Sequence, residues 1–364
     1  MKQDLVGTEQ SKKNLSMRKR EDEGMGFLLQ YENVAWFDES KGCLRILDRR
    51  IFPERCEFIT CTSYKEAVQA IKLMVSQSGG QFAVAVMGMT QASYEAKHLE
   101  KNAYINHMQE ARDAFINARP TTKEAMAQVV IPQYELFEHL INEGTNYQDI
   151  VKKLHFNAIQ LNNIRYSLNA RAGEHFAKIV KDGSSILTHC FGETCFAGFL
   201  RSFNEDRKKI KVYVQETRPF FQGARLTASL ASDLGFDVTV ITDAMAASLM
   251  QNGKINYFVS ASDAITQDGH VINKVGTLNT AIVASYFSVP YYAIGMVSKT
   301  YKSAKDVEIE MRDGSDVICI FGKRLVQEGV YGLYPSFDIT PPSLIQGIAT
   351  EKGLFKPNEI NIVF

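Results

Sequence analysis

The spacing of apolar residues along the chain changes character twice. Between Phe27 and Ile51 apolar positions come in short groups, Val34, Trp36 and Phe37, then Leu44, Ile46 and Leu47, on either side of the polar stretch Glu39-Ser40-Lys41-Gly42. That pattern reads as a β-hairpin. Ser63-Tyr64-Lys65-Glu66 then has the form of a capping box, because the hydroxyl and the carboxylate can each satisfy a free backbone N–H at a helix start. Ala67, Ala70, Ile71, Met74 and Val75 follow at core spacing, and Ser78-Gly79-Gly80 closes the helix. Over residues 81–180 the pattern predicts helices at 82–118, 121–131, 133–142 and 146–180, broken by Pro120, Pro132 and Gly144. Thr121 and Glu124 offer a second capping box.

After Gly183 the period shortens. Apolar strands at Ile186–His189, Val212–Gln215, Val238–Ile241, Tyr257–Ala261, Tyr291–Ile294 and Val317–Phe321 alternate with helical stretches near 194–204, 224–234, 244–252 and 276–287. Alternation of that kind predicts an α/β fold: a C-terminal Rossmann-like, doubly wound and mostly parallel sheet, preceded by a mainly helical N-terminal domain carrying the small hairpin. The expected division is a polar, mixed-charge tail over 1–24, an N-terminal domain over 25–165 and the sheet domain over 166–364, with the boundary falling between about 150 and 183.

Composition narrows the function classes. The 364 residues are 45% hydrophobic and 23% charged, which fits a folded enzyme and not a disordered chain. Forty-one basic residues balance 41 acidic ones, so no global charge favours nucleic acid as a partner. No apolar run approaches the ~20 residues of a membrane span. The six cysteines are scattered, Cys56 and Cys61 lack metal-pair spacing, and the chain opens on polar residues, so a reducing cytoplasm and no metal are expected.

In open α/β sheets ligands gather outside the carboxyl ends of the strands. Three predicted strands deliver polar groups there: Cys190 after the first, Glu216-Thr217-Arg218 after the second, Ser262-Asp263 after the fourth. Asn273-Lys274-Val275-Gly276-Thr277 leads into a helix, and an ammonium, an amide and a helix N-terminus together suit a phosphate. Singly, each has a plainer explanation: a cysteine as a small core residue, an aspartate as a turn former, arginines and lysine as surface charges. Their convergence on one edge is what favours a site. Cys195 and His189 read as structural, and GxGxxG is absent after the first strand, against a dinucleotide cofactor.

Five segments together resemble the methylthioribose-1-phosphate isomerase family, which shares its fold with regulatory subunits of translation initiation factor 2B and with ribose-1,5-bisphosphate isomerases. They are LTHC at 187–190, ETRPFFQGARLTA at 216–228, ITDAMA at 241–246, SDAITQDGHVINKVGT at 262–277 and GVYGLYPSFDITPPSLIQGIATEKG at 329–353. The resemblance implies an acid/base pair at Cys190 and Asp263. It implies substrate contacts from Arg119, Gln222, Asn273 and Lys274 and from the loop at Gln77, Ser78 and Gly79. It further implies a cytoplasmic homodimer that needs neither metal nor organic cofactor and binds a small sugar phosphate.

The expected reaction converts a 5-substituted ribose 1-phosphate to the ribulose 1-phosphate. S-methyl-5-thioribose 1-phosphate, a methionine-salvage intermediate, is the first choice. 5-Deoxyribose 1-phosphate and ribose 1,5-bisphosphate are alternatives, as is a non-catalytic regulatory protein. The chain departs from the family at the RGAPAIG loop, where Gln77 stands for the arginine, and after the cysteine, where it has Phe191-Gly192-Glu193-Thr194. Ala261-Ser262 replaces the usual Gly-Ala before the aspartate. Losing one charge-assisted hydrogen bond to phosphate costs about 1.5–3 kcal/mol, and Glu193 turned toward an anion would add to that.

Overall fold

The computed structural model describes residues 20–119 and 122–363. The alternating segment near the N-terminus forms two antiparallel strands, Ala35–Asp38 and Cys43–Leu47, joined through the polar turn, with a third strand, Phe58–Cys61, added beside the second. The hairpin is thus two strands of a three-stranded sheet, with Cys43–Leu47 in the middle. Val34 ends a short helix, Tyr31–Val34, instead of opening the strand. Arg20–Gly24, expected as part of a free tail, is docked: Arg20 pairs with Asp22 and Glu32, and the buried Asp22 carboxylate accepts from the Tyr31 N–H at 2.8 Å.

The capping box at Ser63 and Glu66 forms as expected and starts the helix Tyr64–Lys72. Two helical boundaries differ from the sequence reading. The 82–118 segment is two helices, Gly80–Ala96 and Lys101–Ile116, turned at residues without glycine or proline. Pro132, in contrast, does not end its helix, which runs unbroken over Lys123–Asn142. Proline removes one backbone donor; here the flanking Val130, Gln133, Tyr134 and Phe137 are buried, and Gln133 Nε2 donates to the Leu154 carbonyl at 2.7 Å, so packing outweighs the lost bond. Thr121 of the second expected capping box lies outside the described residues. Its partner Glu124 accepts a hydrogen bond from Thr300.

The Tyr147–Ala177 helix joins the two parts of the molecule, starting on Asn146, whose side chain accepts from the Asp149 N–H. Its N-terminal half packs into the helical core around Ala158, Phe137 and Met87, and its C-terminal half, with Ala170, Ala172 and Phe176, packs into the core beneath the sheet. Close approach to the Glu193–Glu205 helix requires glycine on both sides. A Cβ on Gly173 would sit 2.2 Å from the Cys195 carbonyl oxygen, and one on Gly198 would sit 2.6 Å from Ala170 Cα. Cys195 is buried in that contact, as a small core residue should be.

The central sheet has seven strands in the order 353–355, 347–350, 291–294, 257–261, 185–188, 211–215, 237–241. All pairs are parallel except the first, so the sheet is mainly parallel with one antiparallel edge. Five of the six expected strands are in it. The sixth, Val317–Phe321, is not: Ser315–Ile318 is a short helix, and Cys319–Ile320 pairs only with Lys323–Arg324 in a separate hairpin. Its apolar run is an exposed surface, with Phe321 78% accessible, and Gly347–Thr350 takes the place beside Tyr291–Ile294. A small antiparallel sheet of Phe337–Thr340, Val271–Lys274 and Ala264–Ile265 stands at the carboxyl edge.

Candidate active site

The strand ends converge as their order requires. Strand 185–188 lies between 257–261 and 211–215, so the residues that follow, Cys190, Asp263 and Glu216–Arg218, come to one edge. Cys190 takes a left-handed backbone, φ 64°, that a side chain disfavours. Two threonines hold it there: Thr217 Oγ1 accepts from the Cys190 N–H at 2.9 Å, and Thr227 Oγ1 donates to its carbonyl at 2.6 Å. The Asp243 carboxylate in turn fixes the second loop by accepting from the Thr217 and Arg218 amides, each at 2.8 Å. Among the described residues, positive φ at non-glycine positions occurs at Met74, Ser78, Cys190, Glu193, Thr217, Phe221 and Phe321 around this edge, and elsewhere only at Arg207 and Ser288. Strain of this kind persists where surrounding contacts over-determine the backbone, and it concentrates at functional sites.

Lys274 is buried at the end of strand 271–274, its ammonium donating to the Tyr334 hydroxyl at 3.0 Å. Burial lowers its pKa to about 8, although the Cys190 thiol and Asp263 pull the other way. Burial pushes the Cys190 thiol up to about 11 against the pull of Lys274. Asp263 is also raised, by the protein mass around it, while Lys274, Arg119 and Arg312 draw it down. Its side chain is nevertheless open to solvent at the edge, so the shift grows when a ligand excludes water. Thiol, carboxyl and ammonium thus act on one another across a single space. Asn273 is buried beside them and donates to Thr277 Oγ1 at 2.9 Å.

The helix N-terminus after Lys274 is not available to a ligand. Asp338, on the neighbouring strand, accepts from the Gly276 amide at 2.7 Å and the Leu278 amide at 3.1 Å, so the chain supplies its own anion there. The phosphate seat expected at that point is therefore reduced to Lys274 and Asn273. His189 is structural, as expected: it is buried with its Nε2 3.0 Å from the Val275 carbonyl.

Of the remaining expected residues, Gln77 and Arg119 line a cleft of about 660 Å³ whose walls also include Met74, Phe220, Glu310 and Arg312; Gln222, Ser78 and Gly79 are not among its lining residues. Arg119 is buried, its guanidinium 3.3 Å from Gln81 Oε1 and 3.4 Å from Glu310 Oε2. The side-chain oxygens of Gln77 and Gln222 are buried without a hydrogen-bond partner within the protein, which suits acceptors waiting for hydroxyl donors. Ser78 donates to the Phe191 carbonyl at 2.6 Å and so ties the Gln77–Gly79 loop to the loop after Cys190.

Glu193 turns away from the site. Its carboxylate lies 2.9 Å from the fully buried Arg49 and 2.6 Å from the mostly buried Arg165. Burial opposes its charge, but the two arginines outweigh it and hold the carboxyl below the ordinary range. Arg49 also donates to the Gln77 carbonyl at 2.7 Å, so this triad clamps the Gln77–Gly79 loop to the loop after Cys190. Gly79 is required against it, since an added Cβ would lie 1.5 Å from Arg165 Nη2. Arg225 is structural, donating to the carbonyls of Phe52 and Arg49, and Arg218 donates to the Val317 carbonyl.

Sequence reasoning missed Arg312, Glu310, Tyr334, Arg49 and Arg165. None lies in a regular apolar pattern, and only contact across the fold marks them. Among the described residues no group of three or more His, Cys, Asp or Glu is placed to hold a metal ion, and no helix is long and apolar enough to cross a membrane.

A parallel sheet with this loop constellation at its carboxyl edge, preceded by a helical region, defines the class, and the chain belongs to the initiation factor 2 subunit family, whose model matches residues 77–357. Within it, the chain is 32% identical over 350 residues to the methylthioribose-1-phosphate isomerase of Fervidobacterium nodosum, covering 92% of this chain and 97% of that one. It is 33% identical to the protein of the same name from Thermosipho africanus, over 88% of this chain and 94% of that one. The structure of 5-methylthioribose 1-phosphate isomerase from Pyrococcus horikoshii shares the fold, with a TM-score of 0.80 at 24% identity over 96% of this chain and 98% of that one. Translation initiation factor eIF-2B subunit delta from A. fulgidus gives a TM-score of 0.76 at 28% identity, over 91% of this chain and 98% of that one.

Proposed function

We propose that this protein is an aldose-ketose isomerase that converts S-methyl-5-thioribose 1-phosphate to the corresponding ribulose 1-phosphate, on a Rossmann-like sheet. The observation that carries the reading is the meeting of Cys190 and Asp263, after adjacent strands, with Lys274 at the end of a neighbouring one, where both bear on the Lys274 ammonium. The anomeric carbon of a sugar 1-phosphate is locked, so the ring must open before hydrogen can move between C2 and C1. One group must give a proton to the ring oxygen while another takes the proton of the 2-hydroxyl. Asp263, raised by its surroundings, serves as the acid. Cys190 is the partner acid/base for the 2-hydroxyl proton: burial raises its thiol to about 11, and the Lys274 ammonium offsets part of that rise. Gln77 and Gln222 offer their free side-chain oxygens to sugar hydroxyls, Asn273 and Ser78 line the same loops, and Gly79 leaves room for the clamp beneath them.

Phe221 and Phe321, stacked at 5.6 Å in the cleft wall, suit an apolar 5-substituent better than a second phosphate. The names of the Fervidobacterium and Thermosipho relatives agree with this choice. We infer a cytoplasmic homodimer: all six cysteines are free thiols, and the exposed Leu325, Tyr331 and Leu333 present apolar surface for a second copy, which light scattering would count. The function is tested by incubating the protein with a panel of pentose 1-phosphates varied at C5 and assaying for ketose. Turnover highest with the methylthio sugar is expected; turnover highest with ribose 1,5-bisphosphate would move the assignment.

One departure favours a second reading, a non-catalytic regulatory protein: Gln77 stands where the isomerases carry the loop arginine. Under that reading nucleotides would raise the melting temperature and no sugar phosphate would turn over.

A further inference from the structure

We propose that Arg312 is a substrate-binding residue that supplies the anion contact Gln77 lacks, so that the phosphate is held between Arg119 and Arg312, two arginines from distant parts of the chain. The inference deepens the isomerase reading and rests on it only for the identity of the ligand; the anion contact itself is tested separately.

Arg312 sits on a two-residue strand, Met311–Arg312, paired with Tyr334–Pro335, in register with Tyr334 itself. That pairing carries the guanidinium over the cleft beside the Lys274–Tyr334 hydrogen bond. One terminal nitrogen lies 3.7 Å from Met74 Sδ, three residues before Gln77, so Arg312 reaches the loop from which the family's arginine would project. Its Cζ lies 5.9 Å from the Phe220 ring centre, and its Nε donates to Glu310 Oε1 at 3.1 Å.

The charge around it does not balance. Three cations meet here, Arg119, Arg312 and Lys274, and each of the two arginines makes Lys274 harder to protonate. Arg119 and Arg312 share one carboxylate, Glu310, at 3.4 and 3.1 Å, while Lys274 donates to a neutral hydroxyl. Two further carboxyls reach this group, Asp263 and Asp316; burial raises the pKa of both, which weakens them as counter-charges, and Asp313 at the cleft rim accepts from the Ser315 amide. Positive charge gathered out of water without matching counter-charge is costly, and a dianionic phosphate relieves the cost. The other arginines near the cleft are committed elsewhere: Arg49 and Arg165 to Glu193, Arg50 to Asp48, Arg225 to backbone carbonyls.

The test compares wild type, Arg312→Gln, Arg312→Lys, Gln77→Arg and the double variant R312Q/Q77R. Inorganic phosphate binding is followed by calorimetry, melting temperature by calorimetry or circular dichroism, and KM and kcat with S-methyl-5-thioribose 1-phosphate. The expected result is that R312Q binds phosphate about 10–100-fold more weakly at unchanged melting temperature. The loss should appear in KM more than in kcat, and adding Q77R to R312Q should restore most of it. Should R312Q not fold, R312K carries the test, since it keeps the charge and loses the planar fork; about tenfold weaker phosphate binding is expected. Phosphate affinity unchanged in R312Q or in R312K, or no phosphate binding by the wild type, would overturn the proposal. Phosphate binding lost in R312Q, with no pentose 1-phosphate turned over by the wild type, would uphold Arg312 and overturn the isomerase reading.

Discussion

Two clusters of charge lie within the same few loops, and they are built in opposite ways. Arg49, Glu193 and Arg165 form a closed, buried triad in which the carboxylate meets a guanidinium at each oxygen. Arg119, Arg312 and Glu310 line an open cleft, with Lys274 and Asp263 within electrostatic reach, so in this cluster three cations face two carboxyls. A buried charge that is matched fixes structure, and removing one member leaves the rest uncompensated. A cluster left unmatched at a cleft stores affinity for the missing counter-charge. The closed triad holds the Cys190 and Gln77 loops in place, and in the proposed function the open cluster, with Cys190, does the chemistry.

Changes at the chemistry should have the largest effect. Cys190→Ser and Asp263→Asn are each expected to lower kcat by about 10²–10⁴-fold with little change in melting temperature, measured by steady-state turnover beside a thermal melt. Glu193→Gln should do the reverse. It leaves two buried guanidinium groups against a neutral amide and should cost about 3–5 kcal/mol of stability in denaturant titration. Because the folded-state value of Glu193 is depressed, its contribution is present at neutral pH and lost as pH falls through that value. The wild type should therefore lose its advantage over Glu193→Gln in acid.

A smaller effect is expected from pH at the open cluster. The Lys274 ammonium is the form that attracts an anion, and it is present below about 8. Substrate affinity should be full on the acid side of that value and fall as pH rises through it, and Lys274→Arg should move the decline upward. The smallest effect is expected at Thr227→Val, which deletes the hydrogen bond to the Cys190 carbonyl and should cost about 0.5–1.5 kcal/mol in stability, with activity reduced less than tenfold. A Thr227 variant as impaired as Cys190→Ser would mean that the left-handed backbone, and not the thiol, limits the reaction.

Much of the sheet was legible because parallel strands buried on both faces read as short apolar runs between helices, and Ile186, Val212, Tyr257 and Tyr291 all belong to such runs. Val317–Phe321 carries the same signal and was misread, since an apolar run does not say whether the surface it makes is covered. The break after Ala96 has no glycine or proline to announce it, and Pro132 announces one that does not occur. At the site, Cys190 and Asp263 stood out because each follows a readable strand. Arg312 did not, because its strand is two residues long and its meaning depends on Met74 and Tyr334, respectively 238 residues before it and its partner across a ladder. The helix N-terminus at Gly276 looked available for the same reason: Asp338, which fills it, lies 62 residues away.

The central claim is that Cys190 and Asp263 act as an acid/base pair on a sugar 1-phosphate, and NMR of S-methyl-5-thioribose 1-phosphate incubated with wild type, Cys190→Ser and Asp263→Asn tests it most directly. The account predicts that the wild type forms the ketose 1-phosphate and that both variants, folded and at equal concentration, form none above the slow background. Ketose formed by either variant at the wild-type rate would contradict it.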